Sequence, residues 1–183
     1  MFIFKKEKIL DYDKCREAIR WFDKEGTGKP GKAGYMDLPN LEVCIQIYSQ
    51  QDDNVENHCW GVGREVKKAM TEYIKKYPEI NGLAKWKLTD LAQFARWEPG
   101  KYYHHLHCEN EGKIYNKRFL SWMIFLNDIE EGGGTLFPQH NVRAEPKAGN
   151  FYIWPAGWTH LHIGEPAIKE KKYTITGWYE YVL

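Results

Sequence analysis

Apolar residues recur at helical spacing in two segments of the first ninety residues. The first segment follows Asp13, the expected N-cap, and ends at Gly26, with apolar positions at Cys15, Ala18, Ile19 and Phe22. The second begins near Trp60 and ends before Pro78, with apolar positions at Val62, Val66, Ala69, Met70, Tyr73, Ile74 and Tyr77. Residues three and four positions apart share one face of a helix. The chain is therefore expected to open with two amphipathic helices that cover one side of a sheet.

The segment between these helices, residues 26–40, is rich in glycine, proline and lysine and is expected to be a mobile loop. Residues 26–33 follow the G-x-x-x-x-G-K spacing of a phosphate-binding loop. However, Ala33 stands where that motif needs a hydroxyl for Mg²⁺, and a helix rather than a strand precedes it. A nucleotide site is not expected here. A lid over an active site and a plain solvent loop both fit the composition.

The pattern changes to short apolar segments after Gly82. Strands are expected at residues 91–97, 102–109, 119–126, 151–154, 158–163 and 173–182. Residues 119–126 are apolar on both faces, which is typical of a strand inside a sandwich, and Gly132–Gly134 indicate a sharp turn. Helices followed by a run of short strands predict an α+β fold. We expect a single domain over residues 1–183, with a double-stranded β-helix (jelly roll) core at 91–183 and mainly helical support at 1–90.

Composition narrows the classes of partner. Positive and negative charges nearly cancel, at a net charge of +1. The sequence has no stripe of basic residues of the kind that binds nucleic acid, so a nucleic-acid partner is not expected. No apolar run is long enough for a membrane span, and residues 1–9 are too short and too charged for a signal peptide. We therefore expect no membrane partner and a cytoplasmic location. The four cysteines are far apart and are expected to be free thiols in a reducing compartment: Cys15, Cys44, Cys59 and Cys108.

Metal-ligand side chains occur at two separated places. His107 and Glu109 flank Cys108, and His162 follows 162 − 107 = 55 residues later. In an extended strand His107 and Glu109 would point the same way. Two imidazoles and one carboxylate on one side of a metal are the arrangement of non-haem Fe(II) oxygenases. His105 and His107 also share a face, so a two-histidine site for another metal is an alternative. His107 is preferred because only it has a carboxylate two residues later.

A lysine follows the second histidine at a distance of ten residues. Lys172 ends the charged run that begins at Lys169, and such a run usually lies on a solvated face. Strand alternation separates the neighbours, because Lys171 points outward if Lys172 points inward. A buried lysine needs a partner, and a dicarboxylate co-substrate is a suitable one. Thr135, after three glycines, either finishes a turn or is a second donor to the same carboxylate.

The segment from about residue 94 to residue 178 resembles the 2-oxoglutarate- and Fe(II)-dependent dioxygenases, in particular the prolyl 4-hydroxylase-like branch. The resemblance rests on several motifs in order: Pro99-Gly100 with Tyr103, the His-x-Glu pair, Arg118, residues 125–128, residues 130–138, residues 146–149, and His162 with Pro166, Lys172 and Trp178 four, ten and sixteen residues later. These offsets favour His162 over its neighbour His160.

Three departures accompany the resemblance. Glu109 replaces the aspartate that is usual in the family. The distance from Gly100 to His107 is one residue longer than expected, which predicts a bulge. Trp97 stands where a tyrosine commonly helps to hold 2-oxoglutarate, so Thr135 and Lys172 would anchor it with different help.

The resemblance implies Fe(II) held by His107, Glu109 and His162, with 2-oxoglutarate and O₂ as co-substrates and ascorbate as a candidate reductant. It implies that Lys172 and Thr135 bind the far carboxylate of 2-oxoglutarate. It further implies that three catalytic side chains line the substrate side of the iron: Tyr103, Arg118 and Trp178. The expected substrate is a prolyl residue in a peptide or protein.

Other functions are open on the sequence. A free amino acid or another small molecule could be the substrate, because nothing in the sequence fixes the width of the pocket mouth. A jelly-roll protein that holds a metal without turnover would be expected to lack a ligand or the anion anchor, and both are present. A nucleic-acid demethylase is disfavoured by the modest net charge and by the lack of an arginine-rich C-terminal strand.

Overall fold

A computed structural model describes residues 1–25, 30–33, 36–47 and 61–182 of the chain. The helices of this part are α1 (Tyr12–Glu25), α2 (Val62–Lys76) and a single turn, α3 (Gly112–Tyr115), with 3-10 turns at Pro78–Gly82, Pro138–His140 and Trp158–His160. Both predicted amphipathic helices are confirmed. The carboxylate of Asp11 accepts the N–H of Lys14 over 2.8 Å, so Asp11 caps α1 and the expected N-cap, Asp13, is wrong.

In the described part of the chain, ten strands form two antiparallel sheets. The strands are β1 (Phe4–Lys6), β2 (Pro30–Ala33), β3 (Met36–Ile47), β4 (Trp86–Trp97), β5 (Arg118–Phe125), β6 (Thr135–Phe137), β7 (Val142–Ala144), β8 (Phe151–Pro155), β9 (Ile163–Gly164) and β10 (Lys172–Tyr181). The large sheet has the order β1-β8-β5-β10-β4-β3-β2, and the small sheet has the order β7-β6-β9. The predicted α+β class is confirmed at this level, as helices with antiparallel sheets.

The large sheet has an apolar core on each side. Buried residues of α1 and α2 pack with one set of sheet residues, including Leu120, Trp122 and Ile124 of β5. A second core joins the large sheet to the small one and includes Phe125 of β5 and Phe137 of β6. Alternate residues of β5 therefore enter different cores, which confirms the prediction of a strand that is buried on both faces.

Three expected segments differ from the structure. Residues 26–40 were expected to be a mobile loop, but β2 and the start of β3 lie there; residues 26–29 and 34–35 fall outside the described part, and with them much of the candidate phosphate loop or lid. Residues 102–109 are not a strand and make only an isolated bridge at His107. Residues 158–163 are mainly a 3-10 turn. In each case pairing with distant segments, which local composition does not encode, decides the conformation.

The predicted turn at the three glycines is confirmed. Gly132 and Gly133 have φ values of 77° and 71°, in the region that favours glycine. In the described part of the chain, no helix is long and apolar enough to cross a bilayer.

Candidate metal and co-substrate site

A two-way backbone contact brings the two predicted metal-binding histidines together. The N–H of His107 donates to the carbonyl of His162 over 3.1 Å, and the N–H of His162 donates to the carbonyl of His107 over 2.9 Å. Residues paired across an antiparallel bridge project their side chains to the same side. The two imidazole rings accordingly lie with their centroids 4.3 Å apart.

Each imidazole is oriented by a carbonyl two residues before it. Nδ1 of His107 lies 2.8 Å from the carbonyl oxygen of His105, and Nδ1 of His162 lies 3.1 Å from that of His160. A ring whose Nδ1–H donates to a carbonyl leaves the lone pair of Nε2 for a metal. His105 and His160, the neighbours weighed from the sequence, thus contribute backbone oxygens here, and their rings are not part of the cluster.

Glu109 completes a group of three potential ligands. Its Oε1 lies 3.3 Å from Nε2 of His162 and 3.7 Å from Nε2 of His107. The ligand atoms all lie within 4.8 Å of one another, and within the described ranges no other set of three or more His, Cys, Asp or Glu residues does so. Donor atoms bound at right angles to one ion, about 2.1 Å from it, are about 3 Å apart. The donor set and its spacing therefore fit one metal ion.

The charges inside this cluster stabilise one another. Burial alone would raise the pKa of Glu109, but its contacts with His107 and His162 outweigh burial and hold the pKa well below its usual range. Burial lowers the pKa of His107, and the hydrogen bond and charge of Glu109 reverse this, so the net pKa is raised. Glu109 is thus an ionised carboxylate, the form that binds a cation.

The outer oxygen of Glu109 has two further donors. Nε1 of Trp178 donates to Oε2 over 2.8 Å, and the guanidinium of Arg118 donates to the same oxygen over 3.1 Å. Arg118 also donates to the backbone carbonyl of Glu109 over 3.2 Å. Its guanidinium carbon lies 3.7 Å from the ring centroid of Trp178 and 4.0 Å from that of Tyr115. The sequence did not predict these contacts, and the substrate contact expected of Arg118 and Trp178 stays a prediction.

Tyr103 lies beside His107. Its ring is 4.3 Å from that of His107 in an edge-on arrangement, and its carbonyl accepts the N–H of Gly164 over 3.1 Å. All three predicted catalytic side chains therefore adjoin a predicted metal ligand: Tyr103, Arg118 and Trp178.

Lys172 is buried at the start of β10 and has little to neutralise it. The residue is 5% exposed, and its ammonium donates to the carbonyl of Gly134 over 3.4 Å and lies 5.5 Å from the ring centroid of Phe125. Burial lowers the pKa of Lys172 to about 8, although the charge of Glu165 raises it. Among the described residues, no carboxylate forms an ion pair with Lys172. A buried cation of this kind suits an anionic ligand.

Thr135 follows Gly134 and faces the same region. It is 3% exposed, and its hydroxyl contacts the sulfur of Met123 over 3.8 Å, a weak partner. Trp97 pairs with Lys172 across β4 and β10, so their side chains share a face. Lys171 points outward and forms an ion pair with Glu98 over 3.2 Å. The predicted alternation of the two lysines is confirmed.

Comparison with known proteins finds a family model that matches the part of the chain containing the site. Residues 92–180 match the model of the 2OG-Fe(II) oxygenase superfamily, and this segment contains the histidines, Glu109, Thr135 and Lys172. The match covers 180 − 92 + 1 = 89 of the 183 residues, just under half of the chain. It supports the predicted Fe(II), 2-oxoglutarate and O₂, whereas ascorbate stays a prediction.

Prolyl 4-hydroxylases are among the sequence relatives of this chain. Prolyl 4-hydroxylase 13 of Arabidopsis thaliana is 29% identical over 99 residues, which are 42% of this chain and 36% of the relative. Probable prolyl 4-hydroxylase 9 of the same plant is 30% identical over 89 residues, which are 37% of this chain and 31% of the relative. The chain thus matches about a third of the length of these curated relatives.

Solved prolyl hydroxylases share the fold of this chain. The viral collagen prolyl hydroxylase of Paramecium Bursaria Chlorella virus-1, solved with 2OG, has a TM-score of 0.71 at 22% identity, covering 100% of this chain and 97% of the other. A prolyl hydroxylase of Trichoplax adhaerens, in complex with a hypoxia inducible factor peptide fragment, has a TM-score of 0.73 at 15% identity, covering 98% and 83%. At these identities the likeness shows the fold alone.

An ion pair that the sequence did not reveal stabilises the glycine turn of the protein. Oε2 of Glu165 accepts the N–H of Gly134 over 3.2 Å and the Nε–H of Arg143 over 2.6 Å. Arg143 also donates to the carbonyl of Gly132 over 2.8 Å. These bonds fix the backbone that carries Thr135 and the carbonyl that faces Lys172. Local sequence shows the turn but not its partners, which lie up to 31 residues away.

Proposed function

We propose that the protein is a 2-oxoglutarate-dependent Fe(II) hydroxylase that acts on a prolyl residue in a peptide or protein. One observation carries the proposal: the three-ligand cluster and the buried Lys172–Thr135 pair adjoin the same strand, β6. The ring of Phe137 lies 5.4 Å from that of His162. Thr135 is two residues earlier on that strand, so its side chain lies on the same face, about 7 Å away.

In this proposal His107 and His162 hold the iron through Nε2, and Glu109 holds it through Oε1. Lys172 and Thr135 bind the carboxylate of 2-oxoglutarate that lies away from the metal. The position of Thr135 along β6 supports this assignment, because Thr135 lies two residues from Phe137, whose ring adjoins that of His162. When bound, the metal and co-substrate supply an oxidation in which 2-oxoglutarate, O₂ and a C–H group become succinate, CO₂ and a C–OH group.

The protein's own residues orient the side chains of the site, and their apolar packing excludes water. Trp154 and Phe137 are buried beside His162 and keep its ring in place, with centroid distances of 5.1 and 5.4 Å. Phe125 lies under Lys172. A dry setting strengthens the attraction between the lysine and a carboxylate, and it limits side reactions of the bound oxidant.

The proposal extends to the architecture. We take the two sheets to be the halves of a double-stranded β-helix, since Phe125 and Tyr152 of the large sheet share a core with Phe137 and Ala144 of the small one. We also take residues 1–90 and 91–183 to be one domain, because α1 and α2 contribute to the same core as β5 and β10.

The assignment of a prolyl substrate is supported by the names of the relatives and by the aromatic setting of the metal cluster. The rings of Tyr103 and Trp178 lie near His107 and Glu109, and aromatic rings pack well against a pyrrolidine ring. The Trichoplax neighbour carries a peptide. A free amino acid or another small molecule is the alternative substrate class.

The test is a substrate panel with the Fe(II)-loaded protein. Proline-containing peptides, free proline and other amino acids are incubated with 2-oxoglutarate and O₂, and succinate and product mass are measured. We expect a prolyl peptide to raise succinate formation and to gain one oxygen atom, and His162→Ala to abolish both. Stimulation by free amino acids alone would overturn the peptidyl assignment. No succinate under any condition would overturn the hydroxylase.

A further inference from the structure

We infer that Arg118 and Trp178 are positioning residues. Their hydrogen bonds to the outer oxygen (Oε2) of Glu109 adapt this metal site to a glutamate ligand. The inference rests on the proposed function, because it concerns the metal held by His107, Glu109 and His162. In this inference Arg118 and Trp178 act on Glu109 and not on the substrate.

The carboxylate of Glu109 is fixed at both oxygens. Oε2 accepts from Trp178 over 2.8 Å and from Arg118 over 3.1 Å, while Oε1 faces Nε2 of His162 at 3.3 Å. With Oε2 committed to two donors, only Oε1 is directed at the position between the histidines. Glu109 would therefore bind a metal through one oxygen and leave the opposite positions of the ion open.

The backbone of Glu109 is fixed as well. Its N–H donates to the carbonyl of Ala156 over 2.9 Å, and its own carbonyl accepts from Arg118 over 3.2 Å. Both ends of the side chain are thus anchored, and the distance from backbone to metal position is set for a glutamate. An aspartate is shorter by one C–C bond, about 1.5 Å, and could not reach the same metal position and both donors together.

Trp178 and Arg118 are held in place and cannot move to reach the carboxylate of a shorter side chain. Trp178 lies within β10, where it pairs with Ser121 of β5, and its carbonyl accepts the hydroxyl of Thr89 over 3.0 Å. Arg118 begins β5, and its guanidinium is enclosed by the rings of Trp178 and Tyr115. Both therefore belong to the large sheet, which the apolar cores hold on either side.

The charge of Arg118 is matched to Glu109. The Arg118 side chain is 14% exposed, and burial lowers its pKa, with Glu109, Tyr115 and Glu180 acting in the opposite direction. Within the described residues, Glu109 is the carboxylate that forms an ion pair with it. The ion pair with Glu109 therefore also provides the counter-charge of a mostly buried guanidinium.

The test measures metal binding to the full chain without co-substrate or substrate. Mn²⁺ binding is followed by electron paramagnetic resonance, and the visible spectrum of the Co²⁺ form reports the ligand geometry. Trp178→Phe keeps an aromatic ring against Arg118 but removes the N–H. We expect its Mn²⁺ dissociation constant to rise roughly 10- to 100-fold and the Co²⁺ spectrum to change, with an unfolding midpoint of the metal-free protein close to that of the wild type.

Two further variants separate positioning from a general structural effect. In a Glu109→Ala background, Trp178→Phe should leave the remaining Mn²⁺ affinity unchanged, because the group that it positions is gone. Glu109→Asp, which restores the residue usual in the family, should also weaken Mn²⁺ binding and should no longer respond to Trp178→Phe. Trp158→Phe is the matched control, since Trp158 is 73% exposed and should not change metal binding.

The outcomes distinguish this inference from the proposed function. If the wild type binds Mn²⁺ and Trp178→Phe binds it equally well, the positioning role is overturned while the metal site stands. Equal or tighter binding by Glu109→Asp would overturn the claim that the site is fitted to glutamate. If the wild type binds neither Mn²⁺ nor Fe²⁺, the proposed function itself fails.

Discussion

The ammonium group of Lys172 lies 3.4 Å from the carbonyl oxygen of Gly134, which is a long hydrogen bond for a buried cation. The backbone of Gly134 cannot approach further, because its N–H is bound to Glu165 over 3.2 Å. Lys172 is therefore held near Thr135, and its ammonium group can form further hydrogen bonds. An anion that reaches this position would gain a charge-assisted partner at little cost in side-chain ordering.

The first prediction concerns the affinity for 2-oxoglutarate. We expect Lys172→Ala to raise its dissociation constant at least tenfold, because a hydrogen bond between charged groups contributes about 1.5–3 kcal/mol. The measurement is an anaerobic titration of the Fe(II) protein, followed by the visible band of the co-substrate complex. Lys171→Ala is the control, since Lys171 pairs with Glu98 at the surface. An effect of Lys171→Ala alone would contradict the assignment.

The second prediction is a pH dependence of the same binding. Burial lowers the pKa of Lys172 to about 8, so the free protein loses this positive charge as the pH rises through 8. Co-substrate binding then requires proton uptake, and we expect the affinity to fall roughly tenfold per pH unit above that point. The dissociation constant is measured from pH 6.5 to 9.5. Lys172→Arg, which stays charged, should bind with a flat profile; a flat wild-type profile would disprove the prediction.

The third prediction is that Lys172 lowers the stability of the fold. Its folded-state pKa is depressed from 10.5 to about 8, so the unfolded chain binds more protons between these values. The free energy of unfolding should therefore rise with pH in this window. At pH 7 we expect Lys172→Met to be more stable than the wild type by about 2–3 kcal/mol, and the gain should shrink towards pH 10.5. Urea denaturation at several pH values measures it, and a pH-independent difference would count against it.

The fourth prediction concerns the choice of histidines. We expect His107→Ala and His162→Ala each to abolish stoichiometric Fe(II) binding, because either change leaves a two-ligand site. His105→Ala is the matched control: His105 contributes its carbonyl to His107, and the substitution retains that carbonyl. Iron content after desalting provides the measurement. Full iron content in His107→Ala would mean that another residue is the ligand.

The fifth prediction concerns the glycine turn. A Cβ at Gly132 would collide with the carbonyl oxygen of Pro166, and φ is 77° there. We expect Gly132→Ala to lower the free energy of unfolding by about 2 kcal/mol or more. Gly63 in α2 has no atom within 4 Å of an added Cβ, so Gly63→Ala should raise stability by about 0.5–1 kcal/mol. Chemical denaturation compares the two variants, and equal effects would refute the steric argument.

The sequence predicted the residues of the site better than the elements that carry them. His107 and Glu109 were placed together by strand alternation, yet residues 102–109 are irregular and only His107 makes a bridge. That bridge brings the two histidines together, and the hydrogen bond from the N–H of Glu109 to the carbonyl of Ala156 helps to place the third side chain. Lys172 is buried whereas Lys171 pairs with Glu98 at the surface, which agrees with the alternation predicted for the two lysines.

Contacts between distant segments could not be predicted in this way. Trp178 and Glu109 are 69 residues apart, and nothing in the local pattern of either indicates their hydrogen bond. The strands β2 and β3 lie in a segment whose glycine, proline and lysine content is typical of loops. Pairing of β3 with β4, from Leu41 opposite Trp97 to Ile47 opposite Leu91, supplies the ladder that composition does not predict.

The backbone bridge between His107 and His162 gives a bound ion a mechanical role. The two histidines close a loop of 55 residues that contains β5 to β8. An ion bound to both rings would act as a removable cross-link across that loop, restricting the unfolded chain as well as the folded one. Metal loading would then slow the unfolding of β5 to β8, and it would have a smaller effect on the unfolding of α1 and α2. Opening of the metal-loaded protein would accordingly begin at its helical layer rather than at the sheets around the three-ligand cluster.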